Sequence, residues 1–153
     1  SIRRQRQMCI RDRFIGDAIL VYFGGIGDED YRHNALQAVR MSIAMQDGMK
    51  EIHTHLEQEG FDISLQIRIG VNTGFVTLGS FGSEDRMDYT VIGREVNVAS
   101  RLEGVCEPGG ILVSHSTYAL TNDHIEYKDH GAVKVKGIEK PLKVYEVIGE
   151  KVK

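Results

Sequence analysis

One change of hydrophobic period constrains this 153-residue chain more than any other feature. Leu36, Val39 and Ile43, then Met45, Met49, Ile52 and Leu56, recur at spacings of three and four, the mark of an amphipathic helix. Gly60 closes that pattern. Directly afterwards Ile63, Leu65, Ile67, Ile69 and Val71 alternate with Ser64, Gln66 and Arg68, the period of a half-buried strand over residues 63–71. A helix and a strand that each carry one apolar face need a shared layer in which to bury it. The chain is therefore committed to helices packed on a sheet.

The rest of the sequence extends this reading. Phe14-Ile15 and the apolar run at residues 18–23 flank Gly16-Asp17, a two-residue hairpin signal. Gly24, Gly25 and Gly27 then break the strand, and Asp28, Glu29 and Asp30 suit the N-terminus of the long helix. Residues 75–78 predict a further strand, 79–85 a loop, 87–92 a short strand and 94–105 a helix with Val98 and Leu102 stacked four apart. Pro108, Gly109 and Gly110 form a turn, and residues 111–113 a short buried strand. Ser114 reads as the N-cap of a brief helix through Leu120. Residues 126–135 and 142–148 are terminal strands joined through Gly137 and Pro141. Helices mixed with several hairpins predict an α+β domain, a mostly antiparallel sheet with helices on one face.

Composition mainly excludes. A formal net charge of −3 gives no electrostatic ground for nucleic acid as a partner. Cys9 and Cys106 stand far apart in no metal-ligand spacing, which argues against a disulfide framework and for a reducing compartment. No apolar run long enough to span a bilayer occurs. The opening SIRRQRQMCIRDR has neither apolar period nor turn signal, and Phe14 starts abruptly within the hairpin. Residues 1–13 are accordingly expected to be a leader of doubtful origin or a disordered basic arm, residues 14–149 the domain, and 150–153 a tail.

Chemistry concentrates in RMDYTVIGREVNVASRLEG, residues 86–104. A strand bearing Thr90 turns at Gly93 into a helix whose Asn97 and Arg101, four apart, share one face. A hydroxyl, an amide and a guanidinium are the partners that a base, a sugar and a phosphate require. This run, with FIGDAILVYF around Asp17 and LQIRIGVNTG at residues 65–74, closely resembles the active-site segments of class III adenylate and guanylate cyclases. The resemblance covers residues 14–149. It implies a ferredoxin-like cyclase fold whose opening strand and first two helices are missing from this piece.

The resemblance also implies roles. Such enzymes convert a nucleoside triphosphate to a 3′,5′-cyclic monophosphate and pyrophosphate, with two Mg²⁺ or Mn²⁺ ions per site. Asp17 corresponds to the second metal-binding aspartate; the first lies on the missing strand, with Asp12 as the nearby candidate, so the piece as it stands is expected to be inactive. Asn97 corresponds to the ribose-orienting asparagine and Arg101 to the arginine that meets charge developing on the phosphoryl oxygens. Thr90 and Arg13 fall at the two base-reading places. Threonine at the first is common in bacterial adenylate cyclases, whereas arginine replaces the usual lysine at the second and differs from it in shape. Lys136 resembles the triphosphate-contacting lysine, with Lys134, Lys140 and Lys143 as alternatives. Arg94 stands where an acidic or amide residue is commoner. Gly70, Asn72 and Gly74 read as backbone-shaping residues, and residues 79–88 resemble the dimer arm.

Taken without the resemblance, Asp17 is a turn aspartate, Thr90 a β-branched strand residue and Lys136 a strand-edge cation. With it, the expected function is an adenylate cyclase in cyclic-nucleotide signalling, its substrate ATP. It would work as a head-to-tail homodimer with shared sites, on the cytoplasmic side of a longer protein that carries sensor or membrane modules. Guanylate cyclase, or a non-catalytic cyclase-like regulatory domain, are the other readings. GGIGDED at residues 24–30 resembles the diguanylate cyclase signature but follows the hairpin instead of forming its turn. His53 and His55, two apart on a helix, make a poor metal pair.

Overall fold

The computed structural model describes residues 10–15, 17–24, 30–83 and 86–152. Eight strands and three helices are found among them: β1 (Ile10–Ile15), β2 (Ala18–Phe23), α1 (Tyr31–Gln58), β3 (Ile69–Val71), β4 (Thr77–Ser83), β5 (Arg86–Ile92), α2 (Arg94–Val105), β6 (Ile111–Ser114), α3 (His115–Thr121), β7 (Ile125–Val133) and β8 (Leu142–Glu150). The α+β class follows from this order. The strands form three sheets: the antiparallel pairs β1–β2 and β4–β5, and a four-stranded sheet in the order β3-β6-β8-β7. Within that sheet β3 and β6 run parallel and the other pairs antiparallel.

Local chemistry accounts for the helix limits. Asp30 caps α1, its carboxylate accepting from the His33 N–H at 3.0 Å. At the other end Gly60 turns left-handed at φ +87°, the Gly60 N–H donates to the Glu57 carbonyl and the Phe61 N–H to the Leu56 carbonyl. This is a Schellman termination, which glycine enters without steric cost. Ser114 caps α3 by accepting from the Thr117 N–H.

Every residue of β6 is buried, and its alternation divides the core in two. Ile111 and Val113 face Leu36 and Val39 of α1 together with Ile125. Leu112 faces Val98 and Leu102 of α2 together with Cys106, Val135 and Val144. Helices thus cover both faces of the sheet, not one as expected. A short strand buried at every position needs cover on both sides. Gly70 of β3, opposite Leu112, makes the close approach of α2 possible: a Cβ there would stand 2.4 Å from the Glu103 nitrogen and 2.5 Å from the Ala99 carbonyl oxygen. Cys106 is a free thiol in this layer, its pKa pushed up by burial.

Three further sequence expectations are corrected. Only residues 69–71 of the alternating segment 63–71 form a strand, and Ile63 and Leu65 are about half exposed. The partner β6 starts at Ile111, opposite Ile69, and gives the ladder nothing to continue on. The Ile67 carbonyl accepts instead from Gly109 and from the buried Gln46 side chain, which also donates to the Gly110 carbonyl. The expected loop at 79–85 is largely strand β4, because β5 pairs with it from Thr77↔Ile92 to Ser83↔Arg86. Finally, β1 reaches back to Ile10, opposite Phe23, so residues 10–13 are part of the hairpin.

Candidate active site

Helix α2 presents Asn97 and Arg101 to solvent while Val98 and Leu102 anchor its other side in the core. The Arg101 Nε donates to the Lys134 carbonyl at 3.1 Å. One residue further, Val135 is buried beside Val98 and Leu102. The Ile138 N–H then closes a turn onto the Val135 carbonyl, with Gly137 at φ +86° and Lys136 exposed at its tip. The docking of Val135 on α2 therefore brings the Lys136 turn alongside Arg101. Along VKVKG the valines face the core and the lysines solvent.

The remaining candidates lie elsewhere. Asp17 is exposed in the β1–β2 turn, and its hairpin packs against α1, the helix on the opposite face of the sheet from α2. Within one protomer, Asp17 and the Asn97–Arg101 face thus belong to different layers. Thr90 pairs with Gly79 in the β4–β5 ladder, and Arg13 and Asp12 pair with Leu20 and Val21 in β1–β2. The side chains of Thr90, Arg13 and Asp12 lie outside the described part of the structure. No group of three acidic, histidine or cysteine side chains gathers among the described residues. Among the described side chains of the β1–β2 hairpin Asp17 is the one carboxylate, and a single carboxylate does not make an all-protein cage for a hard cation.

Sequence reasoning missed a polar network behind α2. Asn72 donates from Nδ2 to the Glu95 carbonyl at 2.9 Å and to Glu95 Oε2 at 2.7 Å. Its Oδ1 accepts from Ser114 Oγ at 2.7 Å and Ser116 Oγ at 3.2 Å. Ser116 also donates to the Thr73 carbonyl, and Thr73 and Thr117 hydroxyls lie 2.8 Å apart. Asn72, Thr73, Glu95, Ser114 and Ser116 line an open cavity of about 250 Å³ bordered on its apolar side by Val98, Ile138 and Leu142. Gly70 and Gly74 do shape the backbone approach, but Asn72 acts through its side chain. His53 pairs with Glu57 one turn along α1 at 3.2 Å, a helix-surface contact.

The family model for the adenylate and guanylate cyclase catalytic domain matches residues 2–149. The chain belongs to that family. It is 32 % identical over 139 residues to adenylate cyclase 1 of Rhizobium meliloti, covering 90 % of this chain and 20 % of that protein. The domain thus spans about a fifth of that relative's length. The crystal structure of the adenylyl cyclase CyaB from P. aeruginosa superposes with a TM-score of 0.88 at 42 % identity, covering 98 % of this chain and 77 % of the other. The guanylyl cyclase Cya2 superposes with a TM-score of 0.82 at 30 % identity over 98 % and 75 % of the two chains. The ferredoxin-like cyclase fold expected from the sequence is therefore the fold of this domain, and the family is generally metal-dependent. Among the described residues no helix is long and apolar enough to cross a membrane.

Proposed function

We propose that this cyclase domain makes 3′,5′-cyclic AMP from ATP for intracellular signalling, as part of a longer protein and on the cytoplasmic side of any membrane that protein meets. The observation that carries the reading is the exposed Asn97–Arg101 face of α2 with the Lys136 turn docked beside it. Asn97 would orient the ribose and Arg101 would meet the negative charge that builds on the α-phosphoryl oxygens. Arg101 is held at Nε by the Lys134 carbonyl, so the guanidinium is oriented before substrate arrives and little reorganisation is needed. Lys136 would hold the triphosphate as a point charge. Thr90 and Arg13 would read the base. In the reaction the 3′-oxygen attacks the α-phosphorus in line, its hydroxyl proton passes to solvent water, and the bond from the α-phosphorus to the bridging oxygen breaks to release pyrophosphate. Asp17 would hold Mg²⁺ or Mn²⁺, two ions to a site, which when bound neutralise charge on the attacking and leaving oxygens.

Asp17 and the α2 face lie in different layers of one protomer, which supports a head-to-tail dimer that joins Asp17 of one chain to Asn97 and Arg101 of the other. Phe75 is 86 % exposed, and Val76 and Ile92 are also exposed, at the base of the β4–β5 hairpin beside the start of α2. An apolar patch of this kind suits a second copy of the domain. In the full-length protein, a mixture of Asp17→Ala and Arg101→Ala chains should regain activity that neither has alone. A dead mixture beside an active wild type would exclude the shared site.

Guanylate cyclase is the second reading, favoured by the close superposition on Cya2. Mass spectrometry of products from equimolar ATP and GTP decides between the two. No cyclic product from either would leave the non-catalytic regulatory domain.

A further inference from the structure

We propose that Asn72 is a positioning residue for the cyclase reaction: through Glu95 it fixes the first turn of α2, and so sets where Asn97 stands. The proposal rests on the cyclase reading given above.

The geometry is specific. A carboxamide has two N–H donors and two acceptor lone pairs. Asn72 directs its donors at the Glu95 carbonyl and Glu95 Oε2, and its oxygen receives Ser114 and Ser116. The amide is held in one orientation, because its reverse would set the oxygen against the Glu95 carboxylate. Ser114 is itself buried and is the N-cap of α3, so the network ties the start of α2 to the start of α3 and the end of β6. The bond to the carboxylate is charge-assisted, and Glu95 also stands in the first turn of α2, where negative charge is favourable.

Two further observations give the contact weight. The N-cap of α2 is Gly93, which makes no side-chain capping bond, so the first turn lacks the usual fastening. Gly74 also leaves the space that Glu95 fills: a Cβ there would stand 2.6 Å from Glu95 Cγ and 2.8 Å from Oε2. Glu95 lies two residues before Asn97 on a rigid helix, while Arg101 is secured a turn later by the Lys134 carbonyl. Release of the clamp frees the Asn97 end of α2 more than the Arg101 end. The consequence falls on orientation of the reacting sugar, which is a kcat effect.

The test measures cyclic AMP formation by the full-length protein, with hydrogen exchange of the α2 amides read in parallel. Asn72→Asp sets two carboxylates against each other and should lower kcat by roughly ten- to a hundredfold, with KM changed by less than about threefold. Amides at the start of α2 should exchange faster in the same variant. Adding Glu95→Gln supplies a donor facing the new carboxylate, and should restore most of kcat and the exchange protection. A general loss of folding would not be relieved in that way. Asn72→Ala, which introduces no charge, should show a smaller kcat loss in the same direction. Wild-type kcat in both Asn72 variants beside an inactive Arg101→Ala control would overturn the proposal alone. So would an Asn72→Asp loss that Glu95→Gln leaves unrelieved. Full activity in the Arg101→Ala control would overturn the cyclase reading of this face, and the proposal with it.

Discussion

Tyr127 shows how a single side chain records its surroundings. Its ring meets Tyr118 edge-on at 5.2 Å, and its hydroxyl lies 2.6 Å from Thr121 Oγ1. Burial pushes its pKa up to about 12 from 10.0, only partly offset by the Thr121 contact. The neutral phenol is the form that the fold favours. Its contribution to stability is whole below the unfolded value and is lost as pH rises through the folded one, so stability should fall across pH 10 to 12. Denaturant midpoints measured through that window should fall more steeply for the wild type than for Tyr127→Phe; parallel curves would show that the phenol is not shielded. Asn72 records its surroundings too, but through bonds that span 23 and 42 residues of sequence, to Glu95 and Ser114. No local pattern predicts such partners, so its surroundings in the chain suggested only a residue that shapes the turn.

At the scale of elements, Gly70 decides where α2 can lie. The atoms that a Cβ would meet are helix backbone, which cannot rotate away. Gly70→Ala should therefore displace α2 and cost about 1–3 kcal/mol, with cyclase activity falling further than stability because α2 carries Asn97 and Arg101. Thermal melts beside product assays would show this, and an unchanged melting temperature would mean that the sheet yields instead. Both long helices were legible in the sequence, since their apolar period and end signals are contained in their own residues: Asp30 and Gly60 for α1, Val98 and Leu102 for α2. Strands were less so. Alternation over residues 63–71 reports a face that could be buried, but only a neighbouring strand turns it into a ladder, and β6 reaches no further than Ile69. Conversely, Gly79, Ser80 and Gly82 read as loop residues yet lie in β4, because β5 supplies the partner. The candidate site was legible as residue types; the docking of Val135 that brings the Lys136 turn to Arg101 was not, since it depends on tertiary packing.

For the whole molecule, the separation of Asp17 from the α2 face predicts that activity depends on concentration. If the site is shared as proposed, it forms only in the dimer, and activity per chain should fall on dilution. Phe75→Asp, at the exposed patch below the β4–β5 hairpin, should move that fall to higher concentration without altering the monomer's fold. Sedimentation and product formation measured on the same dilution series would check it. Activity that stays proportional to concentration down to the monomer would place a complete site within one chain.

The Gln46 side chain, bonded to the carbonyls of Ile67 and Gly110, has a consequence beyond those two bonds. Antiparallel neighbours can take their alignment from the turn between them, but β3 and β6 are parallel and far apart in sequence, so no turn can set theirs. Gln46 grips the chain just ahead of both strands from the helix above and works as an indexing pin for the pair. A slip by one residue would turn Gly70 towards α1 and bring a branched side chain beneath α2. The seat of Arg101 is in this way gauged from the far side of the sheet.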